Sequence, residues 1–526
     1  MCGIAAICAD PSSVDTQYAV RAMLGETTHR GTDDQSVDSY ADRSVSLGIN
    51  RLAIVDVDGG NQPLHGAGGL VHVVGNGFLY NYESINMDME DCGRVPPTGN
   101  DFQVVPYLYE TVGRGFVEQL DGMFAVCLFD ERTGILVFAR DHIGKKPLYY
   151  VATKTSCFVC SECKGLAAAL TSSMISGICE LPPGHVATFD THTCRLSVDR
   201  YYHIPRRPQI PCPRMVRALL THAVQKRMRA DVGVGTFLSG GVDSSIITAV
   251  ASTFCPTLKA ITVGVEGSPD LTNARRVATH LGIEHIVCTF TEDELMALIP
   301  HMVWHLESYN PSAINCAVVN YLAAQKAREM GLSVILCGEG ADELFGGYLV
   351  LRDMGCEEFV KSSWQMIENI HMTECKRLDR STMAATIEAR CPFLDRGLVE
   401  YAMNLPYRCK LRRGDDGRVV EKHILREAFA DVLPAEVVWR EKEPFDQGSG
   451  GRCIISRIQG MVSDEELVRL QCAYPDAKIE SKEMAYLYTV FRARFGDMGG
   501  SRQFAMFGNY PIMQANITKR TATSGS

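Results

Sequence analysis

Cys2 directly follows the first methionine in the opening stretch MCGIAAI. Loss of Met1 would leave one residue carrying both a thiol and an α-amine. An α-amine titrates near about 7.7–8.0, so part of it is neutral at physiological pH and can take the thiol proton. A second stretch, FLSGGVDSS, joins an apolar run to a helical one. The small residues leave the backbone N–H groups of Gly240 and Gly241 open to an anion, and Ser239 and Ser244 add hydroxyl donors. The helix that follows points its positive end into the same space. Asp243 beside a phosphate makes chemical sense with Mg2+ between them. The loop has neither the GK[ST] ending of a Walker loop nor the GxGxxG spacing of a dinucleotide binder. A third stretch, ILCGEGADELFGG, sets Glu339, Asp342 and Glu343 after an apolar run. Such an acid cluster is costly unless it meets a cation or a transferring group, which predicts Asp342 facing Asp243 across Mg2+.

These residues need a scaffold of two kinds. Over the first 200 or so residues, β-branched and aromatic runs punctuated by Gly, Asn and Asp predict strands, among them a hairpin at MFAVCLFD-ERTG-ILVFARD. Helices are predicted at TQYAVRAMLGETTH and DFQVVPYLYETVG, giving an α+β half rich in sheet. Pro205, Pro208, Pro211 and Pro213 then break regular structure and mark a boundary. Beyond them strands alternate with helices, the pattern of a parallel doubly wound sheet, and from about Leu349 the chain is mostly helical. The predicted organisation is residues 1–203, a Pro-rich linker 204–213, a second domain 214–515 and a flexible tail 516–526.

At 526 residues the chain exceeds one ordinary core, and 46% hydrophobic with 22% charged residues describes a globular protein. A formal charge of −10 argues against a nucleic-acid partner. No apolar run approaches the roughly 18 residues of a membrane span, and no signal peptide is read at the N-terminus, so a cytoplasmic location is expected. Twenty cysteines in such a chain are expected to be reduced thiols. Cys157, Cys160 and Cys163 alone have metal-like spacing, but the first pair brackets what reads as a buried strand.

SGGVDS is the pyrophosphate-binding signature of N-type ATP pyrophosphatases, and with MCGI at the start the chain resembles the glutamine-hydrolysing asparagine synthetases over nearly its whole length. HRGTDD, NRLAIVDVDGGNQPL, LDGMFAVCLFD and RDHIGKKPLYY are similar to the family's glutaminase half. CGEGADELFGGY, EARCPFLD, EKHILREAF and REKEPF are similar to its synthetase half. The resemblance implies an N-terminal-nucleophile hydrolase fold of layered antiparallel sheets with helices, followed by an α/β ATP pyrophosphatase domain with a helical C-terminal part. It implies Cys2 as nucleophile, an oxyanion hole from Asn76 and the N–H of Gly77, Arg51 on the glutamine carboxylate, Asp101 on its ammonium and Phe78 as a backbone contact. ATP would lie against Leu238, Ser239, Gly240, Gly241, Asp243, Ser244, Val263, Cys337 and Gly338, with Mg2+ on Asp243 and Asp342. Glu339 would act in forming a β-aspartyl-adenylate and Lys442 in stabilising its transition state. Ammonia would cross between the halves by a largely apolar passage. A homodimer is also implied.

The chain departs from that pattern at four places. Phe78 stands where a Glu usually follows Asn-Gly, and Cys337 replaces a serine. SAINCAVVN (312–320) occupies the place of a Thr-Ile-Arg run, and PFDQGSGG (444–451) that of Phe-Ser-Asp-Gly. The last two fall on the acceptor side. The residues therefore admit asparagine synthesis from aspartate, glutamine and ATP, an amidotransferase or adenylate-forming ligase on another carboxylic acid, or a weakly active ATP- and glutamine-binding homologue.

Overall fold

A computed structural model describes residues 1–41, 44–91, 93, 97–414, 418–441 and 453–496. Its N-terminal half stacks two six-stranded sheets in which every pairing is antiparallel. The strands are β1 (Gly3–Ala9), β2 (Asp34–Tyr40), β3 (Val45–Arg51), β4 (Leu64–His65), β5 (Val71–Leu79) and β6 (Gly122–Asp130). They continue as β7 (Ile135–Arg140), β8 (Tyr149–Ala152), β9 (Ser156–Cys160), β10 (Cys179–Glu180), β11 (His185–Asp190) and β12 (Arg195–Arg200). One sheet runs β10-β8-β9-β1-β3-β2 and the other β12-β11-β7-β6-β5-β4.

Alternation along β1 shows how the layers form. Ile4, Ala6 and Cys8 face the second sheet, meeting Val74, Cys127, Phe129 and Phe138. Ala5 and Ile7 face the other way, onto Val20, Met23 and Leu24 of the helix Thr16–Gly25. The outer face of the second sheet is covered by the helix Val104–Val112. Both faces are buried at the central strands β1, β5, β6 and β7, which is why these read as near-unbroken apolar runs, whereas the outer strand β12 is largely exposed and β2 partly so. Cys157 packs between the sheets while Cys160 packs on the helical side, so this pair does not converge on one point.

The C-terminal half is built on a parallel sheet of β13 (Gly233–Phe237), β14 (Lys259–Val263), β15 (Glu284–Cys288), β16 (Leu332–Leu336) and β17 (Glu388–Arg390), in the order β15-β14-β13-β16-β17. The chain winds outward from β13 to β15, then returns to β16 on the other side. The crevice between β13 and β16 is therefore the point where strand order reverses, the usual ligand site of such sheets. Helices follow from 356 onward, as expected, but β17 escaped the sequence reading. It is three residues long, and two of them are charged.

Residues 203–212 carry no regular element, and the helix Pro213–Arg227 begins at the last proline. The segment is strapped down: Asn404 Nδ2 donates to Pro205 O at 2.7 Å, and Tyr401 Oη to Ile210 O at 2.7 Å. Met1, Leu52, Ile54 and Ile143 join the core of the second half, so the two halves share buried surface. A buried ion network crosses the same boundary. Arg30 meets Glu162 at 2.8 Å and Asp379 at 2.8 Å, and Arg380 meets Glu162 at 2.6 Å and Glu307 at 3.1 Å. Among the described residues no helix is long and apolar enough to cross a membrane.

Candidate active sites

The N-terminal cavity forms where β1 begins and β3 and β5 end. Cys2, Arg51, Gly77, Phe78, Asp101 and Glu388 line it, along with Met1. The Cys2 backbone N–H donates to Asn76 Oδ1 at 3.0 Å. The Asn76 Nδ2 is fully buried with no hydrogen-bond partner, a donor suited to developing negative charge. Gly77 is required by its backbone: φ is 140°, and a Cβ there would lie 1.9 Å from Met123 O. Burial pushes the Cys2 thiol above its usual range, while the N-terminal ammonium and the Leu52 N–H pull the other way. Asp101 Oδ2 accepts from Leu79 N at 2.7 Å, yet burial raises its carboxyl to about 7. The Arg51 fork is engaged by its own loop, with Nη1 on Val57 O (2.9 Å) and Asn61 Oδ1 (2.8 Å) and Nη2 on Asp56 O (2.6 Å). A ligand carboxylate would have to share those donors.

The second site lies at the carboxyl ends of β13, β14 and β16. Leu238 and Val263 sit at the ends of β13 and β14, and the loop Ser239–Gly241 leads into the helix Val242–Ser252. Ser244 Oγ takes the Ser239 N–H at 3.0 Å and lies 2.9 Å from Ser239 Oγ, which folds the loop back over the helix start. Gly240, at φ 75°, allows this turn, since a Cβ would come 2.4 Å from Asp270 O. Gly338 packs against the same turn, 3.0 Å from Ser244 N to an added Cβ. Cys337 is buried as a protonated thiol, its backbone N–H donating to Arg390 O at 2.9 Å.

Asp243 and Asp342 do face one another, and the Lys422 ammonium lies between them, at 2.5 Å from Asp243 Oδ2 and 2.6 Å from Asp342 Oδ1. Burial works against that ammonium, but the two carboxylates overcome it and hold its pKa above the ordinary value. Two carboxylates converging on one cation at the mouth of a glycine-rich loop suit Mg2+, which takes one or two carboxylates and completes its shell with phosphate and water. Glu339 is raised by burial, with Arg377 3.7 Å away opposing the shift. Glu343 is pushed up to about 8 by burial and then by Glu374 and Asp342, and it accepts from Tyr348 Oη at 2.5 Å. Lys442 and residues 444–451 lie outside the described residues.

Four charged residues at these sites went unassigned in the sequence. Lys422 lies in EKHILREAF, Glu388 and Arg390 in EARCPFLD, and Arg377 in KRLDR. They carried no local signal, because each sits among other charged residues (KRLDR, EAR, EKH) and reads as solvated surface. Arg377 also stands beside Cys316, so it brings a guanidinium to the SAINCAVVN stretch, which has none of its own.

A second cavity adjoins the first along β17. Glu388 lines the first, whereas Ala389 and Cys391 line the second with Met123, Leu378 and Cys375. Lys145, Lys146 and Asp379 share its wall with these apolar side chains. Their charges are paired locally: Lys146 Nζ lies 3.5 Å from Asp379 Oδ1, and Lys145 Nζ lies 3.8 Å from Asp141 Oδ1 and donates to Leu394 O at 3.3 Å.

A sandwich-based cavity with a near-terminal cysteine, joined to a parallel sheet with a nucleotide-type loop, defines a two-site amidotransferase architecture. The glutamine amidotransferase domain family matches residues 1–174, and the asparagine synthase family matches 215–359 and 352–477. The root asparagine synthetase [glutamine-hydrolyzing] of Pisum sativum is 33% identical over 532 residues, covering 95% of this chain and 88% of that one. Asparagine synthetase [glutamine-hydrolyzing] 3 of Arabidopsis thaliana is 34% identical, covering 94% and 88%. The chain belongs to the glutamine-hydrolysing asparagine synthetase family. Among solved structures, an allosteric regulatory enzyme of purine biosynthesis aligns at 14% identity and a TM-score of 0.33 over 54% of this chain and 80% of its own, which adds nothing to that assignment.

Proposed function

We propose that this chain makes asparagine from aspartate, glutamine and ATP, releasing glutamate, AMP and pyrophosphate. The observation that carries this reading is the Cys2 cavity and the loop Ser239–Gly241 in one molecule, linked through β17, where Glu388 lines the Cys2 cavity and Arg390 O accepts the Cys337 N–H. The α-amine of a processed Cys2 takes the thiol proton, and the thiolate attacks the side-chain carbonyl carbon of glutamine. Asn76 Nδ2 and the Gly77 N–H stabilise the oxyanion. The C–N bond breaks, ammonia leaves with the proton, and water cleaves the thioester to glutamate. Asp101 receives the substrate ammonium, and Arg51 its carboxylate.

In the second site the loop 239–244 binds the phosphates of ATP, and Asp243 with Asp342 would hold Mg2+, which neutralises phosphate charge when bound. A carboxylate oxygen of aspartate attacks the α-phosphorus, pyrophosphate departs, and ammonia displaces AMP from the acyl carbon. Arg377 and Lys442 supply positive charge there, and Glu339 faces the reacting acid. A reduced cytoplasmic setting and a homodimer complete the proposal, the latter checked by sedimentation of the purified chain.

One observation favours a second reading, a different acceptor acid. Residues 312–320, in the first half of the helix Pro311–Glu329, include no arginine, and Asn315 is turned to Glu483 at 2.8 Å. Product analysis with ATP, Mg2+, glutamine and a panel of amino-acid carboxylates tests both. Asparagine and pyrophosphate in equal amounts with aspartate support the first reading, and turnover only with another acid supports the second. Turnover with no acid leaves a binding homologue.

A further inference from the structure

We infer that Glu388, which belongs to the synthetase half, is the receptor for a primary ammonium group in the Cys2 cavity. The inference rests on the glutaminase reading of that cavity and goes beyond it, since it assigns a charge in the glutaminase site to the other half of the molecule.

Glu388 is 1% exposed and its two oxygens are used differently. Oε1 accepts from Arg390 Nε at 2.6 Å, whereas Oε2 lies 3.1 Å from the buried ammonium of Met1. A buried carboxylate needs its lone pairs satisfied, and a single N–H on one oxygen leaves the other to a second cation. Arg390 cannot turn to supply it. Its Nη1 is bound to Arg227 O at 2.7 Å and Arg229 O at 2.6 Å, and its guanidinium stacks 4.3 Å over the Phe78 ring.

Phe78 therefore explains more than a lost carboxylate. A glutamate at that position would lie against the same guanidinium and compete with Glu388 for it. The aromatic ring gives Arg390 a face to rest on and leaves Nε for Glu388. The negative charge at this end of the cavity thus comes from β17. Met1 marks the kind of group that Oε2 accepts: a primary ammonium, one residue from the Cys2 nitrogen. Removal of Met1 vacates that position beside Cys2. Two ammonium groups could then fill it, the α-ammonium of Cys2 itself or that of bound glutamine. The charged and titratable groups facing Glu388 besides these ammonium groups are the Cys2 thiol, Arg390, Lys146, Tyr80 and Asp101.

The test is E388Q in the full chain, with wild type alongside, assayed with glutamine and with glutaramate, which lacks the α-amine. If Glu388 holds the substrate ammonium, kcat/KM for glutamine falls at least about tenfold while that for glutaramate holds, so the preference collapses. If it holds the Cys2 ammonium, the preference stays and the acid limb of the kcat/KM profile moves to lower pH. That sign follows because a carboxylate stabilises the charged amine, and its loss lowers the amine pKa. Glutamine preference and pH profile both within twofold of wild type would overturn the inference. E388D keeps the charge that balances Arg390 but withdraws it by one methylene. It gives the same direction at smaller amplitude, and unchanged values in a folded E388D count equally against Glu388. A wild-type chain that fails to hydrolyse glutamine tells against the glutaminase reading itself; an active wild type with an indistinguishable variant tells against Glu388 alone.

Discussion

Asp101 carries a carboxyl raised to about 7 by burial, in a cavity where it would have to be ionised to hold an ammonium. Bound glutamine brings positive charge and favours the anion, so binding below about pH 7 must expel a proton, and affinity must fall as pH drops through that value. Calorimetry of glutamine binding to a Cys2→Ala chain in buffers of different ionisation enthalpy should show proton release near pH 6.5 and little at pH 8.5. The same variant should lose glutamine-dependent synthesis and keep synthesis from ammonium, read as asparagine formed from each nitrogen source. Substitution of Lys422 by methionine removes the ammonium paired with both Asp243 and Asp342 and leaves only the cation those carboxylates would hold. Pyrophosphate release should fall by about a hundredfold or more while glutaminase activity persists, because only the second site loses its charge balance.

At the level of elements, the boundary between the halves is held by charges more than the sequence suggested. The helix Glu374–Met383 sends Asp379 to Arg30 and Lys146, and Arg380 to Glu162 and Glu307. Asp379→Ala strands buried cations and should cost about 3–5 kcal/mol in denaturant unfolding, where a surface aspartate would cost little. These elements show what the chain made legible. The strands around Asn76 and the loop at Ser239 could be read because apolar runs and glycines sit where the backbone needs them. β17 could not, since Glu388 and Arg390 look like surface residues until their distant partners in the chain, Met1 and Phe78, are known. Asp243 facing Asp342 could be anticipated from two loops at adjacent strand ends, but the intervening Lys422 comes from a distant helix start with no local signature.

Across the whole molecule, the short strand β17 touches everything that must cooperate. Glu388 lines the Cys2 cavity, Ala389 and Cys391 line the adjoining one, and Arg390 O holds the Cys337 N–H at the nucleotide crevice. The mixed wall of the second cavity, with Lys145 paired to Asp141 and Lys146 to Asp379, is compatible with passage of a neutral molecule. Transfer inside the protein has a direct readout. The full chain is supplied with aspartate, ATP, Mg2+ and amide-labelled [15N]glutamine in the presence of excess unlabelled ammonium, and the asparagine formed is weighed by mass spectrometry. Nitrogen delivered from Cys2 through the interior gives asparagine carrying the glutamine label almost undiluted. Asparagine labelled only in proportion to the mixed pool, or no asparagine at all, contradicts the account.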